Sequence, residues 1–343
     1  MSTTVTRSAP PKRRAFIWLG YALSVFFLAW VLYDFHVKRA LEHLAHVHWR
    51  WVALAIVFDV LSYVAQAVRW KLLLSPFGRV KITDAVRAVF AGLFANLVFP
   101  LRPGEVLRAY LISDSEDIGF VTVLGSVGVE RLIDLVVITA GLAVVSPFVP
   151  QRTRFPHAVD ALGITTLLIL GLFVGLILYI EFRFSGDPRR MTGGRRVPGK
   201  LMSALIALHA MGTAPSFYPA VFTSLLLPFF QLLALWSLMQ SFPLGVPFPF
   251  LGAVVVLLVI NLGVSLPNAP ANVGAYQFFC VLGLSIFNVE KTTATGFSIF
   301  AFLMLTLPFL FLGFYAVVRS GLSVRSMREQ VTHLPNQART PQA

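Results

Sequence analysis

Charged side chains are scarce in this sequence. Asp, Glu, Lys and Arg make up 13% of its 343 residues, apolar residues 57%, and the mean hydropathy is +0.78. A soluble domain carries about 25% charged residues. Half that share cannot clothe a soluble globule of this size. A soluble enzyme, a nucleic-acid-binding domain and a disordered chain are therefore excluded as descriptions of the whole. Acid is scarcer still, 15 Asp and Glu against 28 Lys and Arg, a formal charge of +13. Cysteine is nearly absent. Cys280 stands alone, which excludes an intramolecular disulfide and a Cys-rich metal cluster. The sequence has no Walker loop, dinucleotide fingerprint, nucleophile elbow or H-E-x-x-H motif. It therefore assigns no catalytic residue, metal or cofactor.

What the chain does have is apolar blocks of about 20 residues, the length that crosses a bilayer. They run over Ala15–Tyr33, Trp51–Val68, Val121–Val149, Ala161–Ile180, Tyr218–Gln240 and Thr292–Val318. Six spanning helices are expected, in an all-α polytopic membrane protein. The first block is too long for a signal-peptide core and no A-x-A pattern follows it, so it reads as a retained anchor. The expected organisation is a basic tail over 1–14, a membrane domain over 15–319 and a polar tail over 320–343.

Lys and Arg set the orientation. They cluster before the first block (Lys12, Arg13, Arg14), after the second (Arg69 to Arg87), after the fourth (Arg183 to Lys200) and after the last (Arg319, Arg325, Arg328). These clusters place both termini in the cytoplasm, in a cell inner membrane. The positive balance then reports topology and anionic lipid rather than nucleic acid.

Parity exposes two segments that do not simply span. Ala85–Ile118 must enter and leave on one side, and it breaks at Pro100-Leu101-Arg102-Pro103-Gly104-Glu105. Prolines break helices and Gly104 permits the turn. Leu251–Phe287 breaks at Pro267-Asn268-Ala269-Pro270-Ala271-Asn272-Val273-Gly274, and reads as a re-entrant hairpin or as two short spans. Asn96-Leu97 before the first proline pair parallels Asn261-Leu262 before the second. Interrupted segments in corresponding places point to an inverted-repeat transporter; plain proline kinks are the simpler alternative.

An ionisable group at mid-bilayer costs roughly 2.5–3.5 kcal/mol. Here Glu130 and Asp134 share a helix face beside Arg131, while Arg102, Glu105 and Arg108 gather at the first break. The simplest pairing sets Arg102 and Arg108 against Glu130 and Asp134. Those arginines could also take an anionic head group. Asp59 stands alone in mid-span, as a proton or cation site or as a polar contact. Arg69 and Trp70, at a span end, are explained by snorkelling and an aromatic belt. His43, His46 and His48 with Glu42 read as an amphipathic helix rather than a metal site.

At these residues the sequence resembles a known family, the flippase-like membrane domain of lysylphosphatidylglycerol synthases and their stand-alone, including hopanoid-associated, relatives. The resemblance runs from the first span to Arg319. It is carried by Arg69-Trp70, by P-x-R-P-G-E-x-x-R from Asn96 through Arg108, by Glu130-Arg131-x-x-Asp134, and by Pro267-x-x-Pro270 with Gly274. The chain ends about 25 residues past its last span, so the resemblance does not imply lysine transfer. One departure stands out. The family's second break commonly reads P-G-G-x-G-x-x-E, and Gln277 stands here at the acid's place.

The expected activity is a lipid translocase for a phospholipid- or isoprenoid-like amphiphile. Its candidate substrate-binding residues are Asn96, Arg102, Glu105, Arg108, Glu130, Arg131, Asp134, Asn272 and Gln277, and its gate is the two broken tips. The rivals are an intramembrane enzyme acting on a head group, with Glu105 or Glu130 as base, and a non-catalytic partner of a lipid-biosynthesis enzyme.

Overall fold

A backbone in hydrocarbon finds no water to bond, so apolar runs close their hydrogen bonds internally as helices. The computed structural model describes residues 11–33, 35–99, 102–145, 147, 168, 171, 210–264 and 268–321, and these contain no strand. In chain order the helices are α1 (Pro11–Leu32), α2 (Val37–Ala45), α3 (Trp49–Leu74), α4 (Ile82–Val98), α5 (Gly104–Glu116) and α6 (Phe120–Val145). They continue as α7 (Phe217–Thr223), α8 (Leu226–Ser241), α9 (Pro249–Val264), α10 (Ala275–Ser285) and α11 (Lys291–Arg319). The all-α polytopic membrane fold expected from the apolar blocks is the fold observed. The expected span Ala161–Ile180 apart from Leu168 and Gly171, the first ten residues of the basic tail and the polar tail beyond Gly321 lie outside the described residues.

Among the described residues three stretches are long and apolar enough to cross a bilayer: α3 with 26 residues, α7 and α8 together with 25, and α11 with 29. The chain turns by 81° between α1 and α2. α6 has the length, 26 residues, but carries Glu130, Arg131 and Asp134 in its middle. The outer faces are apolar, with Trp18, Phe26, Val57, Phe311 and Phe314 exposed, as a lipid solvent allows.

α3 is the hub and packs against α4, α6, α7, α8 and α11. Its inward face is unusual, because Asp59, Ser62, Gln66 and Arg69 are all buried there. Their spacing of three and four residues makes one polar stripe along the helix. Polar side chains face the protein and apolar ones the lipid, which a bilayer favours and water would not.

Both expected breaks are present. Neither α5 (13 residues), α9 (16) nor α10 (11) reaches the ~20 residues a crossing needs. α4 packs on α5 and α9 on α10, so each broken segment folds into a helical hairpin. The first hairpin is held very close. A Cβ added at Gly104 would run into the Gly92 carbonyl and come within 2.6 Å of Asn96 Oδ1. Neither neighbour can yield, since one is backbone and the other is bonded. Gly104→Ala is expected to destabilise by about 1–3 kcal/mol through overpacking, read as a lower unfolding temperature in detergent.

Candidate functional site

The first break is built by its own residues. Phe99 is extended, Arg102 takes a left-handed conformation (φ 50°), and α5 starts after Pro103. Proline suits a helix start because it lacks the N–H that would go unbonded there. Asn96 Oδ1 accepts the Gly104 N–H at 2.7 Å and stitches the two arms together. The second break holds a 3₁₀ turn, Pro270–Asn272. There Ala271, Asn272 and Gly274 all lie at positive φ (58°, 60° and 86°). Glycine adopts this without cost, whereas alanine is strained by roughly 1–2 kcal/mol. Ser24 on α1 supports this turn by accepting the Ala269 N–H at 2.8 Å. Pro100 and Pro267 lie outside the described residues.

The charges form two groups. One is a buried lattice joining α3, α5 and α6. Arg69 is fully buried and grips Asp134 with two nitrogens, at 2.5 and 3.4 Å, while its Nε donates to Glu130 Oε1 at 3.3 Å. Glu130, also fully buried, accepts from Arg108 Nη2 through its other oxygen. Arg108 stacks over the Trp70 ring at 4.8 Å, and Trp70 Nε1 donates to Ser126 Oγ at 2.8 Å. At the lattice edge Arg131 donates to Glu105 Oε1 at 2.5 Å and lies 3.7 Å from Asp134.

Two expectations are corrected here. Arg69 does not snorkel and Trp70 does not belong to an interfacial belt, because both are fully buried. Snorkelling explains a span end that faces lipid, but this face of α3 meets α6. Nor do Arg102 and Arg108 both pair with Glu130 and Asp134. Arg108 does so with Glu130, while Arg69 takes Asp134.

Arg102 instead crosses to the other hairpin. Its Nη2 donates to the Val264 carbonyl at the end of α9 and to Asn272 Oδ1 in the second break. Both acceptors are neutral. The two broken tips, 162 residues apart in sequence, thus meet through one guanidinium.

Beside that bridge lies a cavity of about 370 Å³. Its polar lining includes Arg102, Glu105, Arg131 and Asp134 from the first half of the chain, and Asn261, Asn268, Asn272 and Tyr276 from the second. Asp59, Tyr63 and Gln66 contribute from α3, Asn96 from α4 and Gln231 from α8. Leu93, Leu97, Leu257, Phe302 and Phe309 make the rest of the wall apolar. Of the expected site residues, Asn96, Arg102, Glu105, Arg131, Asp134 and Asn272 come together around it. Arg108 and Glu130 sit behind the wall in the buried lattice. Gln277 points elsewhere: its Oε1 accepts the Gly274 N–H at 2.8 Å and caps α10. An acid could make the same bond, so the departure at this position keeps the cap.

Tyr63, Tyr276 and Gln231 were missed from sequence. They are ordinary residues in apolar helices, and only the i, i+4 step from Asp59 to Tyr63 hinted that either faced a polar interior.

These motifs coincide with a shared ancestry. Residues 17–313 match the family described as the lysylphosphatidylglycerol synthase TM region. The chain belongs to this family. As a lysylphosphatidylglycerol synthase TM-region protein it is a multi-pass membrane protein. It is similar to the glycosyltransferase AglD of Haloferax volcanii, 34% identical over 132 residues, which are 38% of this chain and 21% of that protein. The chain thus spans about a fifth of that relative's length. It is also similar to the UPF0104 membrane protein MJ1595 of Methanocaldococcus jannaschii, 22% identical over 293 residues, covering 80% of this chain and 86% of that one.

Proposed function

We propose that this protein carries an anionic phospholipid- or isoprenoid-like lipid between the leaflets of the inner membrane, with both termini in the cytoplasm. One observation carries the reading. Arg102 faces a cavity at the junction of two interrupted helices and is held there by neutral acceptors alone among the described residues. Arg69, Arg108 and Arg131 are each bonded to carboxylates. A guanidinium bonds a phosphate more strongly than a carbonyl or amide oxygen, so an arriving phosphate displaces those acceptors. A cavity of about 370 Å³ lies at the small end of ligand sites, and suits a head group whose tails stay in the bilayer.

The test is leaflet exchange in vesicles. Purified protein is reconstituted into phosphatidylcholine vesicles doped with phosphatidylglycerol bearing a fluorophore on its head group, and an impermeant reductant is added outside. Protein-free vesicles lose the outer-leaflet label alone. Vesicles with protein are expected to lose the inner-leaflet label as well; if that label stays protected, the carrier reading fails. Lipid mass spectrometry of deletion cells covers the enzyme alternative, since a missing product species would assign the cavity to head-group chemistry instead.

A further inference from the structure

Asp59 has no place in the ion-pair lattice. It is 5% exposed, lines the same cavity as Arg102, and its Oδ2 has no hydrogen-bond partner among the described residues. The buried hydroxyl of Tyr276, across the cavity on α10, also lacks one. A carboxylate left unbonded in a low-dielectric interior is costly as an anion, and neutralisation relieves that cost.

Charge balance says when neutralisation happens. Among the described residues, the cavity and the lattice behind it hold four arginines, Arg69, Arg102, Arg108 and Arg131, and four acids, Asp59, Glu105, Glu130 and Asp134. Three arginines are bonded to Glu105, Glu130 and Asp134, which leaves Arg102 and Asp59 as the remaining opposite charges. With all eight ionised the site is neutral. An anion bound at Arg102 makes it net negative and strips Asp59 of the one uncommitted counter-charge among the described residues. One proton on Asp59 restores neutrality.

We propose that Asp59 is the proton-binding site of the cavity, and that an anionic head group and one proton bind together. The inference rests on the carrier reading and gives it an energy source. The step is simple protonation: Asp59 Oδ2 forms an O–H bond with a proton from solution, and gives it back when the anion leaves. Linkage makes the coupling reciprocal, so a bound anion favours protonation and protonation favours the anion. The sign follows. Anion affinity is highest at acidic pH and falls as pH rises, by up to about tenfold per unit for one linked proton.

Other groups facing Asp59 bear on this dependence. Its own helix brings Tyr63, α10 brings Tyr276, α6 brings Arg131 and Asp134, and the first hairpin brings Arg102 and Glu105. The polar groups that α4, α8 and α11 present there, Asn96, Gln231 and Thr306, do not titrate.

The experiment measures affinity of the purified full chain for fluorescent short-chain phosphatidylglycerol, whose phosphate stays ionised throughout, across a pH series. The wild type and Asp59→Glu are expected to weaken with rising pH, and Asp59→Asn to give a flat profile. A flat wild-type profile, or an Asp59→Asn variant with the wild-type slope, overturns the proposal. Proton uptake by the wild type in weakly buffered solution gives an answer even if Asp59→Asn does not fold. About one proton per bound lipid supports the coupling and an unchanged pH overturns it. The two readings fail separately. Leaflet exchange with an unaltered slope in Asp59→Asn removes the coupling and leaves the carrier, whereas absent exchange removes the carrier.

Discussion

Glu130→Ala is expected to destabilise the protein by about 3–5 kcal/mol, the usual cost of removing one partner from a buried ion pair. The reason is what remains. Glu130 is fully buried, and each of its oxygens serves a different arginine, Arg69 on α3 and Arg108 on α5. Removing it leaves Arg108 4% exposed, with its Nε already unbonded and its Nη2 newly so. Arg69 keeps Asp134, so Arg108 bears most of the cost. A double variant, Arg108→Leu with Glu130→Leu, removes charge and counter-charge together and is expected to be more stable than Glu130→Ala alone. Denaturant titration in detergent measures both. A single variant within about 0.5 kcal/mol of wild type, the range of ordinary surface substitutions, would show that the lattice is not held as described.

Arg102→Ala is expected to slow leaflet exchange of labelled phosphatidylglycerol by about ten- to a hundredfold. The figure follows from the roughly 1.5–3 kcal/mol of a hydrogen bond to a charged group, with 1.4 kcal/mol to each factor of ten. Arg102→Lys keeps the charge but not the planar guanidinium that can bond a phosphate through two nitrogens, and should fall between. Exchange at the wild-type rate in both variants would remove Arg102 from the site. Stability separates the two predictions: Arg102 is only half-buried and bonds neutral acceptors, so its loss should cost less than that of Glu130.

Much of this was legible in the sequence because a bilayer enforces simple rules. Long apolar blocks had to be helices, and prolines with Gly104 and Gly274 had to interrupt two of them. Glu130 and Asp134, four apart, had to share a face. The pairing was less legible, since spacing fixes only which residues of one helix look the same way. Arg69 sits where a span end leaves the membrane by simple counting, and only α6 packed on α3 shows it to be interior. Arg102 was expected to pair with the acids of α6, yet from its left-handed turn it bonds Val264 and Asn272 instead. Gln277 stood at a family position and turned out to serve its own helix cap. For Arg69 and Arg102 a contact distant in sequence decided the outcome, whereas Gln277 was settled by a bond only three residues away.

The support that α1 gives the second break has a consequence for biogenesis. Ser24 meets Ala269 across 245 positions, and Val31 and Tyr33 accept bonds from Thr295 and Lys291 across 264 and 258. During synthesis, α1 is made long before the partners that hold it. It must wait in the lipid, bare on one side, until α10 and α11 arrive. Contacts this far apart form late and slowly. The polar chamber is therefore the last part of the molecule to close, and a chain halted before α10 would present an open arginine-lined cleft to the bilayer.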